Sequence, residues 1–392
     1  IFFRLSTMDD RNAVSNQAEE LGTMMSTPPS KLISVASGAA ASLERPYRLK
    51  CVTGNSNRPL AEAVAKKLGV EMCPARVGQF ANGEIDIKIL GNVRGDDVFV
   101  LQPTCASSTT DLNTSVMELL LLIHTLRLAS AKRITAVVPH FAYARQDRKT
   151  EARVPISASA VAQLLMAMSV DRVVTVDLHC GQIQGFFHNT PVDNLYGYFL
   201  FSEYFKMKHG DDTKEFAIVA PDAGAVEKAR NLADKLSASH VVTILKRRVE
   251  KNKVDSMQIV GDVQGRACII VDDMIDTAGT MVKGVNLLRD SGATDIYACC
   301  THGIFSDPAC ERLNNCDALK EMVVTDSIPQ ELNQAKSSKI KVISLAPLLA
   351  KAIRSVHEET SLSSLFHRTV PSTPVVEAVR STGIDSSLMT LS

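Results

Sequence analysis

The feature that most constrains this chain is an alternation. Short β-branched runs give way to amphipathic helical stretches and then to another run: ITAVVP (134–139), SASAVAQLLMAM (157–168) and RVVTVDL (172–178). The order recurs with FAIVAP (216–221), GAVEKARNLADKL (224–236), VVTIL (241–245), ACIIVDD (267–273) and MVKGVNLLRDSG (281–292). Strand, helix, strand at these lengths is the signature of a mainly parallel α/β sheet flanked by helices. The pattern occurs twice, so two similar α/β halves are expected. At roughly 150 residues per domain, a chain of 392 residues holds both, with tails to spare. In such sheets ligands bind beyond the carboxyl ends of the strands, which directs attention to the residues just after each apolar run.

Composition narrows the function. Lys+Arg and Asp+Glu are each 43, so the formal net charge is zero and no global field for nucleic acid or membrane is expected. No apolar run approaches the roughly 18 residues of a membrane span. Trp is absent and aromatics are 5%, which leaves little for base stacking. The nine cysteines are scattered without a CxxC pair, a pattern that fits reduced thiols in a cytosolic protein better than disulfides or a zinc site. Residues 1–47 contain PP, SGAAAS and many Ser and Thr, and read as a disordered extension. Their first residue is Ile1, which suggests a fragment or a processed product. Asp9, Asp10, Glu19, Glu20 and Glu44 oppose the basic residues there and weaken an organelle-targeting reading without closing it. Residues 368–392 read as a loose tail. The expected division is 48–195, 196–354, and a return segment 355–367 to the first half. A cytoplasmic protein is expected.

The strongest constellation is VDDMIDTAGT (271–280), directly after the strand ACII. Asp272 and Asp273 are expected to leave the strand end as paired carboxylates, suited to the 2- and 3-hydroxyls of a ribose. Asp276, Thr277, Ala278, Gly279 and Thr280 form a tight turn into a helix, whose N–H groups make a nest for phosphate. The bland alternative is a helix cap on an acidic loop. VPHFAYARQDRK (138–149) carries Arg145, Gln146, Arg148 and Lys149 after a strand, and guanidinium groups suit phosphate oxygens. In TVDLHCGQIQGFF (175–187), Asp177 and His179 are expected on one strand face, able together to hold hydrated Mg2+ and nucleotide phosphates. PDAGAVEKAR (221–230) repeats the strand-end geometry with Asp222. FANGE (80–84) reads either as an adenine contact or as a hairpin turn at NG.

The 271–280 string resembles the phosphoribosyl-pyrophosphate (PRPP) motif shared by phosphoribosyltransferases and PRPP synthases. With FANGE, YARQD and DLHCGQIQGFF in this order, residues 49–366 resemble the ribose-phosphate diphosphokinases, or PRPP synthetases, of class I. That resemblance implies two phosphoribosyltransferase-type domains. It also implies transfer of the β,γ-diphosphoryl group of ATP to the C1 hydroxyl of ribose 5-phosphate, with Mg2+, giving AMP and PRPP. A catalytically silent regulatory or structural paralogue is the alternative.

The implied roles follow the matching positions. Phe80, Asn82, Gly83 and Glu84 would bind adenine, reaching from a neighbouring subunit of a homohexamer. Arg145, Gln146 and His179 would bind ATP. His179 and Asp222 would hold the metal. Asp272 and Asp273 would line the ribose site, and Asp276, Thr277, Ala278, Gly279 and Thr280 would bind its 5-phosphate. Lys246 and Arg248 would open a catalytic loop over the transferring phosphates; without the resemblance, KRRVEKNK is a charged hairpin. Arg94, Arg153, Ser361, Ser363 and Phe366 match an allosteric site for phosphate and ADP. The chain departs from the pattern at Gly224-Ala225, where a second Gly is common, and at Asn92, where Ser is common. The loop HNTPVD is one residue longer than usual, with His188 in place of an acid, and the segment 104–113 is longer and more polar.

Overall fold

The computed structural model describes residues 47–247, 256–363 and 365. The expected disordered segment through Pro46, the tail 368–392, Arg248 and Phe366 lie outside them. The first half runs β1 (Leu49–Thr53), α1 (Arg58–Leu68), β2 (Ala75–Gln79), β3 (Ile85–Ile89), β4 (Asp97–Leu101), α2 (Leu112–Leu128), β5 (Arg133–Val138), α3 (Ser157–Ala167), β6 (Arg172–Val176) and β7 (Val192–Leu195). The second runs α4 (Tyr198–His209), β8 (Ala217–Ala220), α5 (Val226–Leu236), β9 (His240–Arg247), β10 (Ser256–Val260), β11 (Cys268–Ile275), α6 (Gly279–Asp290), β12 (Ile296–Gly303), α7 (Ala309–Asn314), β13 (Leu319–Thr325), α8 (Glu331–Lys336), β14 (Ile340–Ile343) and α9 (Ala346–His357).

The first sheet has the order β1-β4-β5-β6-β7 and is parallel throughout. The second has the order β10-β9-β8-β11-β12-β13-β14, parallel except for the β9/β10 pair at one edge. Helices cover both faces, so the central strands need no polar alternation. Residues 134–138 of β5 and all eight of β12 are buried. β2 and β3 form a separate antiparallel hairpin whose Val77, Ile87 and Ile89 pack on the first core.

Local signals begin the helices. Asn57 caps α1 by accepting from Leu60 N at 3.2 Å, a proline opens the first turn, and Gly69 ends it in the left-handed region. The polar stretch 104–113 has a comparable use, because Asp111 caps α2 through Asn113 N and Thr114 N.

The chain finishes against its beginning. α9 lies on α1, Arg354 donates to Leu68 O at 2.9 Å, and His357 meets Asp97 at 2.8 Å. One apolar cluster runs from Cys51 and Leu60 through Phe201 and Val271 to Leu349 and Ile353, so the two halves share a core. All nine cysteines are unpaired, and all but Cys180 are buried. Among the described residues, no helix is long and apolar enough to cross a membrane.

Candidate active site

The carboxyl ends of the two sheets face a cleft of about 860 Å³. Its first wall is Arg145, Asp147 and Arg148 after β5, residues 177–182 after β6, Asn194 of β7, and Tyr196 and Tyr198 after it. Its second wall is residues 221–225 after β8, Lys228 of α5, and residues 272–281 where β11 passes into α6.

β11 is longer than its apolar run suggests. Pairing with β12 continues past Asp272 to Ile275, so the two aspartates stand inside the strand and not after it. Adjacent strand residues point to opposite faces, and the aspartates meet different surroundings. Asp272 is half-buried along the cleft. Burial, and then the charge of Asp273, push its carboxyl above the usual range. Burial works against ionisation of Asp273 as well, but the hydrogen bond from His179 and the charge of Lys228 outweigh it and hold this carboxyl well below the usual range.

The turn after β11 leads directly into a helix, as expected. Ala278 precedes α6 at φ +57°, in the left-handed region a non-glycine residue rarely adopts, and residues 276–280 line the cleft. Arg312 of α7 buttresses the turn by donating to Thr277 O at 2.8 Å.

Among the polar contacts that cross between the halves, two join charged groups of the cleft walls. His179 Nδ1 lies 2.8 Å from Asp273 Oδ2, and Arg145 Nη1 donates to Asp276 Oδ2 at 2.8 Å. The bond to Asp273 raises the proton affinity of His179 above its ordinary value, against the opposing effect of burial. Asp273 Oδ1 faces Lys228 Nζ at 3.4 Å. Asp222 caps the short turn that leads into α5 and accepts from Gly224 N at 3.0 Å. The methyl of Ala225 is buried in the shared core, so the Gly-to-Ala departure does not obstruct that turn.

Asp177 differs from the expectation. It follows β6 at φ +43°, outside strand geometry, and is buried. Its Oδ2 accepts from Gly197 N at 2.8 Å and Thr301 Oγ1 at 2.5 Å. Its carboxylate is thus committed to tying the halves together, at the edge of the cleft that His179 also lines. Beside it His302 is fully buried, with Nδ1 at Ser327 Oγ (2.9 Å) and Nε2 at Val176 O (2.9 Å). Burial, and then the neighbouring His140, push the His302 imidazole down to about 3.

Other expected residues do not line the cleft. Gln146 accepts from the Ser157 hydroxyl. Phe80 to Glu84 form the β2–β3 turn: Phe80 N donates to Glu84 O at 2.7 Å, Gly83 has φ +89°, and the Phe80 ring is 56% exposed. The hairpin reading therefore holds, and its exposed ring remains available to a neighbour. Lys246 is paired in β9 opposite Met257 of β10, and so precedes the connection between the strands. Arg94 and Arg153 are exposed, and Ser361 Oγ donates to Ser363 Oγ at 2.9 Å.

Lys228 and Arg312 escaped the sequence reading. Lys228 sits within the PDAGAVEKAR string on an ordinary amphipathic helix, and no local pattern marks it as facing an aspartate on another element. Arg312 lies in an unremarkable short helix after β12.

Comparison with known proteins agrees with this architecture. Residues 49–168 match the N-terminal domain of ribose phosphate pyrophosphokinase, and residues 239–367 match the phosphoribosyl synthetase-associated domain. The ribose-phosphate pyrophosphokinase of Caldanaerobacter subterraneus subsp. tengcongensis is 49% identical over 81% of this chain and 98% of its own. That of Clostridium tetani is 46% identical over 81% and 97%. The crystal structure of phosphoribosylpyrophosphate synthetase from Mycobacterium smegmatis superposes with a TM-score of 0.73 at 43% identity, covering 80% of this chain and 99% of that one. Two domain matches and near-full coverage of these relatives establish that the chain belongs to the ribose-phosphate pyrophosphokinase family.

Proposed function

We propose that the cleft carries out ribose-phosphate diphosphokinase chemistry. O1 of ribose 5-phosphate attacks Pβ of Mg-ATP, the bridge between Pα and Pβ breaks, AMP leaves, and the hydroxyl proton is released as PRPP forms. The observation that carries this reading is the pairing of opposed walls. The turn at 276–280 and the neighbouring Asp272 and Asp273 on one half meet Arg145 and His179 on the other, and together they line a cleft of about 860 Å³. Positioning and charge neutralisation are what phosphoryl transfer chiefly demands.

In this reading Asp272 and Asp273 line the ribose hydroxyls, and residues 276–280 receive the 5-phosphate. Arg145, Gln146 and His179 hold ATP, and Phe80, Asn82, Gly83 and Glu84 of a neighbouring subunit hold its adenine. Lys246 and Arg248 close on the transferring phosphates. Residues 48–195 form the ATP side and 196–354 the ribose 5-phosphate side, with 355–367 returning to the first.

Mg2+ fits the donor set. Among the described residues no cluster of three or more ligands forms a ready-made cage, and Mg2+ commonly keeps its waters and leans on substrate phosphates. His179 and Asp222 would hold the ion, which would supply positive charge to the phosphates.

A cytoplasmic homohexamer, with phosphate and ADP acting through Arg94, Arg153, Ser361, Ser363 and Phe366 at subunit contacts, completes the proposal. The test is incubation with Mg-ATP and ribose 5-phosphate, with and without inorganic phosphate. Equimolar AMP and PRPP, lost in Lys246→Ala, is the expected result. Neither product from a folded oligomer would shift the reading to a silent paralogue.

A further inference from the structure

We propose that Lys228 is a positioning residue for diphosphoryl transfer: by anchoring one oxygen of Asp273, it fixes the plane of the carboxylate that orients the His179 ring. This rests on the function proposed above and adds to it a residue outside the ribose, phosphate and metal sets.

The geometry is a three-group relay across two halves. Lys228 stands in the first turn of α5, with its side chain 22% exposed and its Nζ 3.4 Å from Asp273 Oδ1. The other oxygen, Oδ2, lies 2.8 Å from His179 Nδ1, on the loop after β6. Asp273 is only 6% exposed at its side chain, so water is no substitute for either partner. A carboxylate held at one oxygen can swing about its Cβ–Cγ bond. Held at both, it has one plane, and the ring bound to it has one orientation. Nδ1 is taken by Asp273, so the orientation of Nε2 follows from the plane of Asp273. Partners of this kind, one group removed from the reacting atoms, commonly govern the group they orient.

The surroundings point the same way. Burial alone would drive the proton off Lys228, but the charges of Asp273, Asp177 and Asp272 outweigh it and raise its proton affinity. Asp177 is itself pinned by Gly197 and Thr301, so the ammonium is drawn toward fixed carboxylates. Lys228 therefore joins the rigid junction between the halves to the one imidazole that lines the cleft.

The experiment compares full-length wild type with Lys228→Met, Lys228→Gln, Lys228→Arg, Asp273→Asn and the Lys228→Met/Asp273→Asn double variant. The readouts are kcat, KM for both substrates, calorimetric affinity for ribose 5-phosphate, and Tm. Loss of Lys228 is expected to lower kcat by about 10–100-fold, the usual range for a partner that orients a ligand-binding side chain. KM and ribose 5-phosphate affinity should change by no more than about threefold, since Asp273 and His179 both remain to bind ground-state substrate and only the alignment of the ring is lost. Lys228→Arg should recover most of kcat, and the double variant should be no worse than Asp273→Asn alone. Lys228→Gln keeps the side-chain length and serves if the Met variant fails to fold.

A raised KM at unchanged kcat would make Lys228 a direct substrate group and overturn the proposal. So would a loss that tracks only the folded fraction, or one that multiplies with Asp273→Asn. A wild type that makes no AMP and PRPP overturns the functional reading itself, whereas an active wild type with Lys228 variants at wild-type kcat overturns this inference alone.

Discussion

Asp272 and Asp273 are one peptide apart, yet the fold drives their carboxyls in opposite directions. The difference lies in their partners. Asp273 has His179 and Lys228, whereas Asp272 has burial and the charge of its neighbour. A dependence of stability on pH follows. The His179 pKa is raised in the folded protein, so its contribution is fully present below the unfolded value of about 6.5 and is lost as pH rises through the higher folded value. Urea unfolding of wild type and His179→Gln should therefore show their widest gap below about pH 6.5, narrowing as the pH rises. Arg145 makes the opposite kind of contact. Its pair with Asp276 is largely solvated, at 60% and 32% exposure, so Arg145→Ala should change stability by less than about 1 kcal/mol. Its activity should nonetheless fall by about 100-fold or more, the scale for losing one transition-state donor. Denaturant titration alongside AMP release checks both halves of that statement.

Elements were more legible than partners. Each apolar run became a strand within a few residues, because runs such as 134–138 and 268–271 have β-branched composition and no turn residues inside them. The turn into α6 was readable too, since Asp-Thr-Ala-Gly-Thr is a complete local instruction for a turn into a helix. The end of β11 was not. Two adjacent aspartates look like a strand end, and only the ladder to Cys300 and Gly303 of β12 carries the strand through them. Asp177 misled for the same reason: its φ of +43° is imposed by contacts with Gly197 and Thr301, both remote in sequence. Lys228 was invisible because its meaning lies in another element.

Capping offers a test at this scale. Asn57 both caps α1 and donates to Asp326 O at 2.7 Å, so it fastens the first helix to the second sheet. Asn57→Ala should cost about 1–2 kcal/mol, toward the upper end for an N-cap, measured by chemical denaturation.

The whole molecule is held together at the floor of its cleft. Asp177, Gly197, Thr301, His302 and Ser327 interlock there with little room between them. A Cβ added at Gly197 would come within 2.6 Å of Thr301 Oγ1 and 3.0 Å of Asp177 Oδ2. Gly197→Ala should destabilise the protein by about 1–3 kcal/mol, as overpacking does, and should depress activity beyond the loss of folded protein. Thermal unfolding with parallel rate measurements decides this.

The same seam dictates how the enzyme must handle water. Two lobes joined by a shared core and a buried lattice of hydrogen bonds cannot swing apart and shut like the halves of a shell. Shielding a labile diphosphoryl group from hydrolysis then falls to whatever folds over the mouth, so turnover is timed at the entrance while the bed of the site stays still.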